Sequence, residues 1–226
     1  MPARLTPRAK DALQIIYTLT ENGGRASPNA IAARLEISSA GFTYLLQKLA
    51  AEPALVDYQK RRGVKLTSAG NQAALRLIRR HRLLELFLVQ TLGVAWHSAH
   101  TEAGRLEHVI SAAFEERIAQ MLGDLQVAPY GHPIPNRDLQ MPQQPCLPLC
   151  NLRPRQTARV VQMQDDDSAL LNYLEQAGLT PQAVFTVLDY SPFDGNLALQ
   201  VSGHTRTWVL GPSISRQISV SPISAG

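Results

Sequence analysis

Cysteine is nearly absent from this chain: only Cys146 and Cys150 among its 226 residues carry a thiol. Two thiols four positions apart form no disulfide framework, and they suit a reducing compartment. No uninterrupted run of about 18 apolar residues occurs, so no membrane-spanning helix is expected. The basic opening MPARLTPRAK is not followed by an apolar signal core, and a cytoplasmic protein is the expectation. HExxH, a Ser/His/Asp order, a phosphate loop and internal repeats are all missing, which argues against a hydrolytic or nucleotide-using enzyme.

What is present is unevenly distributed. The net charge of +4 is modest, yet residues 1–73 carry ten Lys/Arg against five Asp/Glu. Residues 74–150 balance at seven each, and residues 151–226 hold five against six. Positive charge confined to the first third suggests a polyanion for that part.

The same third has the order of a winged helix. Thr6-Pro7 can cap and open a helix with Ala12, Leu13, Ile16 and Tyr17 at helical spacing, and Asn22-Gly23-Gly24 ends it. Ser27-Pro28 opens a second helix, and Ser38-Ser39 leads into a third that runs to about Ala51. Two short helices, a tight link and an amphipathic third helix make a helix-turn-helix. Its outer face offers Ser38, Ser39, Gly41, Thr43, Tyr44 and Gln47 to DNA, while Phe42, Leu45, Leu46 and Leu49 turn inward. Residues 54–58 and 64–66 read as strands around a Lys60-Arg61-Arg62-Gly63 tip. Such a tip can be a plain solvated turn, but beside the helices it reads as a phosphate-contacting wing.

Thr67-Ser68-Ala69-Gly70 begins a helix that is longer than a small winged helix needs, running to about Leu92. Gly93 interrupts it, a further helix spans about His97 to Ser111, and another about Ala112 to Leu122. His81 and Glu85 lie four apart and share a helix face at about 6 Å. His100, Gly104, Glu107 and His108 are expected along one face of the following helix. Imidazoles and carboxylates without thiolate suit Mn²⁺, Fe²⁺, Co²⁺ or Zn²⁺, and softness does not choose among them. The proline-rich stretch from Met141 to Pro154 reads as a linker. Beyond it, short strands at 156–163, 183–189, 197–201 and 205–210 and a helix at 168–177 suggest a small β-barrel. Asp165-Asp166-Asp167 is read chiefly as a turn capping that helix. His97, His132 and His204 carry no expectation beyond surface roles.

The pieces LTSAG, HRLLELFL, HTEAGRLEHVIS and GHPIP, in this order, resemble the diphtheria toxin repressor family of iron- and manganese-responsive transcriptional regulators. The resemblance covers nearly the whole chain. It implies a mainly α fold with α+β elements: a winged helix-turn-helix (1–73), a helical metal-binding and dimerisation domain (74–141), a linker (142–150) and an SH3-like β-barrel (151–226). It also implies a homodimer that binds double-stranded DNA at a palindromic operator when loaded with Mn²⁺ or Fe²⁺, with Zn²⁺ or Co²⁺ able to substitute. His81, Glu85 and His100 match the family's ancillary site, with Gln162 and Asp165 falling near the two ligands its SH3-like domain supplies. Glu107, His108 and Asp11 match its regulatory site, and the second N-terminal carboxylate of the manganese branch becomes Gln14.

One position departs. Three residues before the Glu-His pair the family places Cys in its iron branch or Glu in its manganese branch, and this chain has Gly104. Glycine offers no donor, and Glu102 lies about 200° round a helix from it. The alternatives are a regulator of this fold that has lost metal sensing at that site and, more remotely, a metalloenzyme.

Overall fold

The computed structural model describes residues 5–21, 23–51, 54–123, 127–164 and 167–223. The chain forms two compact units, Met1–His81 with Pro135–Met141, and Arg82–Ile134 with Pro142–Gly226.

In the first unit, helix α1 (Pro7–Thr20) begins where the Thr6 hydroxyl accepts the Ala9 amide, with proline in the first turn. It buries Ala9, Ala12, Leu13 and Ile16, the 3–4 spacing of one helix face. Helices α2 (Pro28–Arg34) and α3 (Ser39–Ala50) are capped in the same way by Ser27 and Ser38, whose hydroxyls accept amides at 3.1 Å. Strands β1 (Val56–Gln59) and β2 (Gly63–Leu66) form an antiparallel hairpin. Ala26 and Val64 exchange backbone hydrogen bonds at 2.8 and 2.9 Å and fasten the hairpin to the loop before α2. Arg25 completes that attachment, donating to the Asp57 and Gly63 carbonyls and forming an ion pair with the Asp57 carboxylate. That guanidinium holds the Asp57 carboxyl below its ordinary range. Phe42, Leu46, Leu49, Val56 and Val64 pack with the α1 face into one core.

Helix α4 (Ser68–Gln90) starts against the wing, with the Thr67 hydroxyl accepting the Gly70 amide at 3.0 Å. A Cβ at Gly70 would stand 1.9 Å from the Leu55 carbonyl oxygen. Only glycine lets the helix start this close to the wing. Gly70→Ala is therefore expected to destabilise the N-terminal unit by about 1–3 kcal/mol, read as a lower urea midpoint at unchanged slope.

The second unit takes the C-terminal part of α4, then α5 (Trp96–Leu106) and α6 (Ala112–Leu122). Leu83, Leu84, Leu86 and Leu88 pack with Ala99, Ala103 and Ile118. Small alanines on the buried side of α5 permit close helix approach. The same unit holds β3 (Leu147–Pro148), β4 (Thr157–Met163), α7 (Ser168–Gln176), β5 (Val184–Tyr190), β6 (Leu197–Val201), β7 (Thr207–Leu210), α8 (Pro212–Ser215) and β8 (Ile218–Ile223). The strands form one antiparallel sheet in the order β3-β8-β4-β5-β6-β7. Alternation along them puts Val160, Phe185, Val187, Leu199 and Val220 inside with Leu171 and Leu174 of α7.

Three expectations change. Residues 142–150 are not all linker, because Leu147 and Pro148 pair with β8 and Leu149 is buried. Strand β8 and helix α8 are additional elements. The helix holding His100 stops at Leu106, so Glu107 is its cap and His108 lies in the turn beyond. The Val109 and Ile110 amides both close onto the Leu106 carbonyl, at 3.0 and 3.1 Å, which tightens the end of the helix.

Candidate metal centres and DNA-reading surface

The most constrained polar group in the second unit is Glu85. Leu84 and Leu86 tie its stretch of α4 into the core, and its side chain has no exposure to solvent. A carboxylate in that setting needs a charged or hydrogen-bonded partner. His100 on α5 supplies one, its Nδ1 standing 2.9 Å from the Glu85 Oε1. His81 lies one turn before Glu85 on the same unbroken helix. His81, Glu85 and His100 each present a donor atom, all within 4.8 Å of one another. Two donors bound to one ion at about 2.1 Å each lie at most about 4.2 Å apart. A small inward adjustment therefore suits the trio to one divalent cation, and the mixed imidazole and carboxylate donors suit a first-row metal.

Glu107 is also buried, and its Oε1 lies 3.5 Å from the His108 Nε2. Gly104, one turn earlier, is half-buried, and a Cβ there would meet nothing within 4 Å. The position thus has room for a side chain but no donor. Asp11 and Gln14 are half-buried on α1 in the N-terminal unit. Gln162 is half-buried on β4, opposite Ser219 of β8 just after a β-bulge. Asp165 lies outside the described residues. Asp167 caps α7 as expected, accepting the Ala169 and Leu170 amides at 3.0 Å.

The third helix presents its expected outer face. Ser39, Gly41, Thr43, Tyr44 and Gln47 are exposed, with Tyr44 at 61%. The Ser38 hydroxyl is used by the cap, so Ser38 fixes the start of α3 as well as facing outward. Lys60, Arg61 and Arg62 stand exposed at the hairpin tip, where Arg61 takes a left-handed backbone at φ 65°.

Sequence reasoning missed several neighbours. Lys48 sits 4.5 Å over the Tyr44 ring, adding a cation to the exposed face of α3. Gly24, Arg25, Arg62 and Lys65 line one open basic cleft beside the wing. The i, i+4 spacing of Tyr44 and Lys48 could have revealed the first; the cleft depends on tertiary pairing. His97 is more than a surface residue, since its Nδ1 approaches Glu175 of α7 at 3.6 Å.

A winged helix continued by a long helix into a helical domain with buried carboxylates and half-buried histidines has the parts of a metal-responsive DNA-binding regulator. Family models match in the same order. Residues 4–64 match the iron dependent repressor N-terminal DNA binding domain, 67–136 the iron dependent repressor metal binding and dimerisation domain, and 147–222 the FeoA domain, which is SH3-like. The chain is 31% identical over 204 residues to the iron-dependent repressor IdeR of Mycobacterium leprae, covering 85% of this chain and 87% of that one. It is 35% identical over 123 residues to the diphtheria toxin repressor of Corynebacterium glutamicum, 54% of each chain. Among solved structures, a manganese-dependent transcriptional repressor in complex with manganese superposes with a TM-score of 0.87 at 35% identity, over 95% of this chain and all of that one. ScaR with bound Zn²⁺ gives 0.82 at 31% identity, over 95% and 99%.

The chain belongs to the iron-dependent, or diphtheria toxin, repressor family. It is a metal-dependent, DNA-binding transcriptional regulator with an SH3-like C-terminal domain. Its relatives are repressors, and its domains are those of DNA binding and dimerisation. Among the described residues no helix is long and apolar enough to cross a membrane.

Proposed function

We propose that this chain is a cytoplasmic repressor that responds to Mn²⁺ or Fe²⁺ and binds a palindromic operator as a homodimer, working by binding rather than turnover. The observation that carries the metal reading is the buried Glu85 carboxylate held by His100, with His81 one turn away. In this reading residues 1–73 read DNA, 74–141 bind metal and dimerise, and 151–226 form the SH3-like domain. Mn²⁺ is favoured over Fe²⁺ by the absence of a thiolate at position 104 and by the carboxylate at Asp11.

Each residue has a distinct task. Glu85 and Glu107 supply negative charge at buried positions, and His81, His100 and His108 supply neutral nitrogen donors. Asp11 joins Glu107 and His108 to the first helix of the reader, and Gln162 and Asp165 bring the SH3-like domain to the His81 site. A bound cation supplies the positive charge that lets these carboxylates cluster. That charge favours the conformation competent for DNA by its differential affinity. On the reader, Ser39, Gly41, Thr43, Tyr44 and Gln47 meet the major groove, and Lys60, Arg61 and Arg62 meet phosphate.

A homodimer is supported by apolar side chains left in solvent around α6. Val109, Phe114 and Met121 are 75%, 49% and 66% exposed, and Phe114 and Met121 lie seven apart on one helix face. Burying such side chains against a second copy is the ordinary remedy. Metal titration followed by gel shift on the gene's own promoter tests the whole reading. Equal operator affinity with Mn²⁺ and with chelator would overturn it.

Gly104 favours one second reading, in which the Glu107 site is silent and only the His81 site binds metal. It makes a direct prediction. Because position 104 has open space, Gly104→Glu is expected to add a donor and raise Mn²⁺ affinity at the Glu107/His108 site by about tenfold or more. Calorimetry on a His81→Ala, Gly104→Glu protein isolates that site.

A further inference from the structure

The first turn of α5, which carries His100, is hydrogen-bonded by a side chain from outside the helix. A regular helix would close the His100 amide directly onto the Trp96 carbonyl four residues earlier. Here the Tyr130 hydroxyl bonds both of those groups as well. It accepts the His100 N–H at 3.1 Å and donates to the Trp96 carbonyl oxygen. Tyr130 is fully buried, and its ring packs against Trp96 with centroids 5.5 Å apart. A buried hydroxyl bonded to backbone groups of a helix's first turn fixes where that turn sits, and here that turn carries the His100 ring that meets Glu85.

The backbone of the same residue grips the sheet. The Met163 amide of β4 donates to the Tyr130 carbonyl at 3.1 Å. Next to it, Gly131 has φ +86°, and a Cβ there would stand 1.8 Å from the Val161 carbonyl oxygen. One residue thus holds the helix bearing a metal donor by its hydroxyl and the end of strand β4 by its carbonyl.

We propose that Tyr130 is a positioning residue for the His81/Glu85/His100 metal site and couples the occupancy of that site to strand β4. The inference rests on the metal-site reading above. In Tyr130→Phe the ring still fills the core, but the hydroxyl's two hydrogen bonds to the first turn of α5 are lost. The first turn is then no longer anchored to the core at that point, and the His100 ring loses its fixed place beside Glu85.

The test uses the full-length protein with Co²⁺ and Mn²⁺ as probes. Tyr130→Phe is expected to lower Co²⁺ affinity at the His81 site by about tenfold, the usual effect of losing a supporting hydrogen bond. It should also alter the d–d spectrum of that site while leaving the Glu107/His108 site unchanged. In the unmodified protein, Mn²⁺ is expected to slow exchange of the Met163 amide by about tenfold or more, and Tyr130→Phe should abolish that slowing. Co²⁺ binding in the parent, with an identical affinity and spectrum in Tyr130→Phe, would overturn this inference alone. So would a Met163 amide in the unmodified protein that exchanges equally with and without Mn²⁺, a result that needs no variant. A parent protein that takes up no Co²⁺ would overturn the metal-site reading and this inference together.

Discussion

Replacing His81 and Glu85 together by alanine is expected to reduce Mn²⁺ affinity by more than about a hundredfold and to abolish metal-stimulated operator binding. The pair removes two of the three donors in the cluster, and loss even of groups that merely support a ligand costs about 10–100-fold. Glu85 is fully buried, so alanine also leaves a cavity. Glu85→Gln separates the effects, since it keeps volume and hydrogen bonding while removing the charge. If His81→Ala with Glu85→Gln melts like the parent without metal yet gains no thermal stability on adding Mn²⁺, the site acts through ligation. A double variant that retains the parent's Mn²⁺ affinity would place the metal elsewhere.

The second large effect concerns the wing. Replacing Lys60, Arg61 and Arg62 together by glutamine is expected to weaken binding to every DNA sequence alike and to lower the slope of log K against log salt by roughly 3, one unit per phosphate contact. These three side chains point into solvent at a hairpin held from behind by Arg25, Ala26 and Val64. Their removal should therefore leave the fold and the sequence preference intact. Gel shifts at several salt concentrations, on operator and on scrambled duplex, distinguish this from loss of reading. An unchanged salt slope would mean that the wing does not meet phosphate.

Much of the reader was legible in the residues because its signals are local. Thr6-Pro7, Ser27-Pro28 and Ser38 cap the three helices as their hydroxyl chemistry dictates, and the apolar spacing of Phe42, Leu45, Leu46 and Leu49 marks the inner face. His81 and Glu85 were legible by helical arithmetic, and His100 by the order of pieces shared with the family. The rest depended on tertiary pairing. Proline masks the strand character of Leu147–Pro148 and of Ile218–Ile223, which carries Pro222, although proline is tolerated at sheet edges and strand ends. The stop of α5 at Leu106 has no glycine or proline to announce it. The pairing of His97 with Glu175 and the bridging hydroxyl of Tyr130 join residues 78 and 30 or more positions apart, beyond any local pattern.

The complete burial of Glu85 has a further consequence for how much of this protein a cell retains. Without a cation, that carboxylate is kept from water beside imidazole partners, and the folded state bears the desolvation cost. A ligand that binds only the folded chain stabilises it by about 2.7 kcal/mol at a hundred times its dissociation constant. Metal supply then sets the unfolded fraction exposed to proteases, and a difference of 1–2 kcal/mol is enough to change abundance several-fold. Scarcity would deplete the regulator as well as release it from DNA, and recovery after metal returns would be limited by new synthesis.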